Sequence, residues 1–183
     1  MCSSDLTVDL QRGSLPPGPD GRPFELIDLP GIHDFNGSSE DEAIVQRFLH
    51  QSPPDLVVVV LNASQVVAQL RLPLQLRALG LPTVVALNMS DEARRWGVQI
   101  DVKALAEGLG LPVLPISALR REGLSDLRHT IHAAAAGPGA AAAVVPATPA
   151  DPHALEALRL ELASRCVHLP AHPPNRQIGR AHV

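Results

Sequence analysis

Thr83-Val84-Val85-Ala86-Leu87-Asn88-Met89-Ser90-Asp91 decides how this chain is read. Thr83 to Leu87 is an uncharged, strand-length run, the pattern of a strand buried on both faces. Asn-x-x-Asp follows directly at its end. Two other segments stand in the same relation to strand-like runs. Phe24-Glu25-Leu26-Ile27-Asp28 leads into Asp28-Leu29-Pro30-Gly31, and Val113 to Ile116 lead into Ser117-Ala118. Helical patterns alternate with these runs. Ser39 to His50 opens on a Ser39 N-cap, with Glu42 placed to close a capping box. Leu56 to Leu61 is a second continuous apolar run, again read as a strand buried on both faces. Val66 to Leu79 has helical spacing interrupted by Pro73 and stopped at Gly80. Asp101 caps a helix to about Leu109, and Gly123 to Ala136 forms another. Repeated strand-helix units with short loops predict an α/β fold, a parallel-type sheet with right-handed crossovers and helices on both faces. Ligands of such sheets lie at the carboxyl ends of the strands, where all three segments fall.

The residue types at these strand ends suit one ligand. Guanine presents two donors side by side, its ring N1–H and its exocyclic amine, and a carboxylate at Asp91 accepts both. Adenine places an acceptor where guanine has a donor, a mismatch costing on the order of several kcal/mol. Asn88, on the same turn, can bond the base and tie neighbouring loops together. Ser117-Ala118 can supply a backbone N–H to the guanine carbonyl oxygen and a hydroxyl to brace Asp91. Asp28, ending its strand, is placed to reach Mg²⁺ through a water, as hard oxygen ligands do. Gly31 has no Cβ, so its N–H can approach a γ-phosphate. By itself Asp28-Leu29-Pro30-Gly31 is also an ordinary strand-ending turn; the other two segments in register favour the phosphate reading. The chain contains no Gly-x-x-x-x-Gly-Lys-Ser/Thr loop, the usual phosphate cradle. Arg12 and Arg22 stand too near the early hairpin to replace its lysine. Ile32 stands where many GTPases carry a water-orienting glutamine, so intrinsic hydrolysis is expected to be slow or to use another group, and without the phosphate loop the chain is expected to be inactive or very slow.

Composition sets the remaining bounds. The 183 residues suffice for one domain and a tail, with a formal net charge of -4 and no basic run. That balance argues against a nucleic-acid partner. Aromatics make up 2% of the chain, so the core is expected to be aliphatic. Cys2 and Cys166 are far apart and read as unpaired thiols of a cytosolic protein. No apolar run approaches the ~20 residues of a membrane-spanning helix, and Met1-Cys2-Ser3-Ser4-Asp5 is no signal peptide. The chain as written is therefore expected to be cytoplasmic. His129, His132, His168 and His172 read as solvent-exposed histidines rather than an iron site. Trp96 is expected to cover a helix end, with base stacking as the alternative. Residues 137–150, rich in Ala and Pro, read as a linker. Residues 151–169 read as one amphipathic helix with Leu155, Leu158, Leu162 and Cys166 on a stripe that has little to pack against. Residues 170–183 read as a disordered tail.

Several quoted segments together resemble one family. Asp28-Leu29-Pro30-Gly31-Ile32 with Ser39-Glu40-Asp41-Glu42, Pro54-Asp55-Leu56 through Ala63, and Val84 through Met89 with Asp91-Glu92-Ala93 look like the G domain of ferrous iron transport protein B. Met89, where most GTPases carry lysine, fits that family, as do Gln99-Ile100-Asp101 and Gly123-Leu124. The resemblance covers about residues 7 to 136. It implies a Ras-like P-loop GTPase fold that here lacks its first strand, phosphate loop and first helix. It also implies GTP or GDP with Mg²⁺ as ligands. The base and phosphates would be bound by Asp28, Pro30, Gly31, Asn88, Met89, Asp91, Ser117 and Ala118. By the same resemblance, Thr7 joins Asp28 at the metal. In the intact protein the partner would be a membrane permease domain for Fe²⁺, with this domain on the cytoplasmic side of the bacterial inner membrane. Residues 1–6 and the last residues fit nothing in the family and read as non-native. The missing strand would lie between the Phe24–Asp28 and Leu56–Leu61 runs, so open edges and a marginally stable chain are expected. Two other readings stay open: an inactive pseudo-GTPase remnant or scaffold, and a GTPase acting on ribosomes or tRNA.

Overall fold

The computed structural model describes residues 10–18, 21, 23–136 and 151–170. Thr7, Cys2, Arg22, His172 and the segments 1–6, 137–150 and 171–183 lie outside the described residues. Two strands, β1 (Gln11–Leu15) and β2 (Phe24–Asp28), pair as an antiparallel hairpin with Gln11 opposite Asp28. Helix α1 (Glu40–Gln51) starts at the expected capping box. Ser39 Oγ accepts the Glu42 N–H at 3.2 Å, and the Glu42 carboxylate accepts the Ser39 N–H at 2.9 Å. Strand β3 (Val57–Asn62) passes through a 3-10 turn (Ala63–Gln65) into α2 (Val66–Gln69) and α3 (Arg71–Ala78). The expected interruption at Pro73 falls instead at Leu70. Pro73 then occupies the first turn of α3, where its missing N–H has no intrahelical acceptor to lose.

Strand β4 (Thr83–Asn88) is followed by the short helix α4 (Ser90–Arg95), β5 (Gln99–Ile100) and α5 (Val102–Leu109). The chain continues through β6 (Val113–Pro115) and α6 (Leu124–Ala136), and then α7 (Pro152–Cys166) and β7 (Val167–His168). Among the described residues β3, β4 and β6 form a parallel sheet in that order. Val57 stands opposite Thr83, Asn62 opposite Asn88 and Leu87 opposite Pro115. That register brings the ends of β3, β4 and β6 to one edge. The fold is thus α/β with a parallel central sheet, as expected. Trp96 forms the C-cap of α4, its N–H directed at the Glu92 and Ala93 carbonyls, and is 41% exposed.

The core is aliphatic, as the composition requires. Leu70, Leu74, Leu87, Leu105, Leu109 and Leu162 are among its fully buried side chains. Burial on both faces holds for β4, whose Thr83 to Leu87 are all buried, but not for β3, where Val60 is 62% exposed. Among the described residues β3 pairs with β4 alone and β2 with β1 alone. The two runs therefore do not close on each other, and each keeps an unpaired edge.

Two local expectations are corrected. α7 does not lack a packing surface, because Leu155, Leu162, Ala163 and Cys166 are buried in the same core as the sheet. Leu162 fills the space over Gly108 of α5 that a Cβ would need. Arg159 donates to the Val67 carbonyl at 2.7 Å and holds Glu156. Beyond the helix, β7 pairs antiparallel with β5, and Asp101 N–H donates to the Cys166 carbonyl at 2.8 Å. His132, expected in solvent, is buried, its ring meeting Phe24 edge to face at 4.7 Å. His129 and His168 are exposed.

Candidate functional site

The site grows from the end of β4. Met89 is left-handed (φ 60°), so the chain turns sharply out of the strand and enters α4. Asn88 stays at the strand end, where its Oδ1 accepts the Met89 N–H at 2.9 Å and the Ala118 N–H at 3.0 Å. One side-chain oxygen thus joins segments 30 residues apart. Backbone bonds reinforce the join: Ile116 N–H donates to the Leu87 carbonyl at 2.8 Å, and Ser90 N–H to the Ile116 carbonyl at 3.1 Å. Ser90 Oγ also donates to the Leu87 carbonyl at 2.6 Å.

Asp91 stands in the first turn of α4, where the positive end of the helix favours a carboxylate. The Ser117 hydroxyl bonded to it, with lesser help from Arg120, holds its carboxyl below the usual range. Asp91 is therefore ionised at neutral pH and able to accept donors. Ser117 is buried, and the turn that follows closes on itself. Ser117 N–H donates to the Glu122 carbonyl and Glu122 N–H to the Ser117 carbonyl, each at 3.1 Å. Arg121 (φ 58°) and Gly123 (φ 72°) turn this loop through left-handed backbone. Arg120, at its tip, places Nε 2.9 Å from Asp91 Oδ2. Nothing in the spacing signals Arg120, because the contact depends on that loop's turn.

The phosphate-side residues are assembled differently. Asp28 is exposed at the end of β2, Pro30 is half-buried and Gly31 is exposed. Among the described residues no hydrogen bond or ion pair joins them to the Asn88, Met89, Asp91, Ser117 and Ala118 cluster. The loop after Gly31 is pinned by a network that the sequence did not signal. Asp34 Oδ1 accepts from Gln75 Nε2 at 2.6 Å, and Asp34 Oδ2 lies 3.1 Å from Arg71 Nε. Phe35 N–H donates to Gln75 Oε1 at 2.8 Å. No cluster of three or more His, Cys, Asp or Glu able to hold a metal occurs among the described residues. Asp28 is a lone hard donor, which suits an ion whose other ligands are phosphate oxygens and water.

Gly31 is not required by the fold. A Cβ there meets no atom within 4 Å, and its backbone is not left-handed. Gly31→Ala is therefore expected to melt at or slightly above the temperature of the parent, since the substitution mainly restricts the unfolded chain. A loss of more than about 1 kcal/mol in urea unfolding would mean the loop needs this glycine for its own conformation.

The family model "Ferrous iron transport protein B" matches residues 4–131. The Fe(2+) transporter FeoB of Synechocystis sp. is 56% identical over 126 residues, covering 69% of this chain and 20% of that protein. The chain thus spans about a fifth of the length of this curated relative. Among solved structures, the FeoB G domain from Methanococcus jannaschii is 35% identical with a TM-score of 0.65, covering 70% of this chain and 79% of that one. The cytosolic domain of T. maritima FeoB in a GDP form is 28% identical with a TM-score of 0.69, covering 82% and 57%. No described helix is long and apolar enough to cross a membrane. With the strand-end cluster, the α/β architecture and the family match in agreement, the chain belongs to the ferrous iron transport protein B family, and its fold is that of the family's Ras-like G domain.

Proposed function

We propose that this chain binds guanine nucleotides through Asp91, Asn88, Met89, Ser117 and Ala118. In the intact protein it would be the GTPase domain that couples nucleotide state to Fe²⁺ transport by a membrane permease domain on whose cytoplasmic side it lies. One observation carries the reading: Asn88 Oδ1 holds the Ala118 N–H while Ser117 braces an ionised Asp91. Hydrogen bonds within the chain hold Asn88, Ala118 and Ser117 in place around Asp91, and such preorganisation lowers the cost of binding. The T. maritima relative in a GDP form supports the same ligand class. On this reading Asp91 takes the N1–H and amine of guanine, and the loop at Ala118 offers a backbone N–H to its carbonyl oxygen.

Asp28, through water, and Thr7 are the proposed Mg²⁺ ligands. When bound, Mg²⁺ would neutralise phosphate charge. Pro30 and Gly31 would meet the γ-phosphate, consistent with a glycine that packing does not demand. Residues 7–136 are proposed as the G-domain portion, 137–150 as its linker and 151–169 as the helical segment.

A second reading, a remnant that keeps the fold without binding, is favoured by the lack of any hydrogen bond or ion pair joining Asp28, Pro30 and Gly31 to the base-side cluster among the described residues. Calorimetry with GDP and Mg²⁺ on the full chain separates the two. Binding in the micromolar range, weakened about 100-fold or more in Asp91→Asn, is the expected result. A folded chain that binds no GDP is the remnant.

A further inference from the structure

We propose that Arg120 is an internal competitor for guanine at Asp91, a resident latch that an entering base must displace. The inference rests on the reading of Asp91 as the base carboxylate and adds to it a regulating residue. Guanine would use both Asp91 oxygens through two parallel N–H donors. An arginine side chain carries the same planar arrangement of N–H donors. Here Arg120 Nε already sits 2.9 Å from Asp91 Oδ2.

The surroundings suit a latch rather than a fixed strut. Asp91 is well covered, its side chain 14% exposed, whereas the Arg120 side chain is 52% exposed. The backbone of Arg120 is anchored, its N–H donating to Ser117 Oγ at 3.3 Å. The loop is closed below by the paired Ser117 and Glu122 backbone bonds. Side-chain rotation alone can therefore free Asp91 while Ala118 keeps its place on Asn88. The latch and the base also share one loop, because Arg120 lies two residues beyond Ala118. Arg120 thereby keeps the Asp91 carboxylate paired, and nucleotide entry begins with loss of that pair.

The test is stopped-flow and equilibrium binding of N-methylanthraniloyl-GDP with Mg²⁺ to the full chain and to Arg120→Ala. A half-exposed ion pair of this kind changes an equilibrium by a factor of about two to five. Arg120→Ala is expected to bind the probe tighter by that factor, mostly through faster association. Because the pair is screened by salt, the ratio between variant and parent should fall toward one as ionic strength is raised. A purely structural role for Arg120 would not produce that trend. Equal binding at low salt overturns the latch. Weaker binding by Arg120→Ala, through faster release, also overturns it and makes Arg120 a contact of the bound nucleotide. If neither folded protein binds the probe, the guanine reading of the site falls and the latch falls with it.

Discussion

Replacing Leu162 with Ala is expected to destabilise the whole chain by about 2–5 kcal/mol, the range for truncating a buried leucine. Leu162 is 1% exposed and packs over Gly108, so its loss leaves a cavity between α7 and α5. Relaxation of the helices is limited by other ties, namely the Arg159 bond to Val67 and the Asp101 to Cys166 backbone bond. Domains of this size are stable by only about 5–15 kcal/mol, so a large share of the total would be lost. Leu160 lies on the same helix but is 53% exposed, and Leu160→Ala is expected to change stability by no more than about 0.5 kcal/mol. Urea unfolding of both variants checks the pair. Equal, small effects would mean that α7 is not part of the cooperative unit.

Gly123→Ala is expected to damage both stability and nucleotide binding. Its φ of 72° is left-handed, which costs an L-residue about 1–2 kcal/mol. A Cβ there would also sit 2.5 Å from the Pro115 carbonyl oxygen and 3.2 Å from Ile116 Cγ2. Backbone atoms of β6 must move to relieve that overlap. The same stretch supplies the Ile116 carbonyl that accepts the Ser90 N–H, and Ser117 follows it directly. The strain therefore passes into the loop that braces Asp91. Gly80 is the comparison: its φ is 73°, but a Cβ there meets nothing within 4 Å. Gly80→Ala should show the backbone cost alone and leave GDP affinity unchanged. If calorimetry finds Gly123→Ala binding GDP like the parent, the coupling between β6 and the base loop is refuted.

What could be read from the sequence was local chemistry. The Ser39 and Glu42 capping box, the stop at Gly80, and the buried β4 each follow from residues within a few positions of one another. The clustering of Asn88, Asp91, Ser117 and Ala118 was legible because strand ends of a parallel sheet share one edge. What escaped depends on long-range geometry. α7 looked unpartnered because its partner Gly108 lies far back in the chain and carries no side chain to complete an apolar pattern. β5 and β7 have two residues each, too few to show alternation. The break at Leu70 carries no glycine or proline of its own. Arg120 reaches Asp91 through a turn in which Arg121 is left-handed, a conformation that arginine does not announce.

The chain contains one tryptophan and no tyrosine. Trp96 caps the helix that begins beside Asp91, and the neighbouring Gly97 lies against Pro170 just past β7, where a Cβ would come within 3.3 Å of the proline Cβ. Its indole emission is thus a native optical reporter at the seam between the base-reading helix and the end of the docked α7 segment. Excited at 295 nm, an unlabelled chain yields one local signal rather than an average. A response to nucleotide then reports events at Asp91, and a response to denaturant reports unfolding of the core that α7 shares.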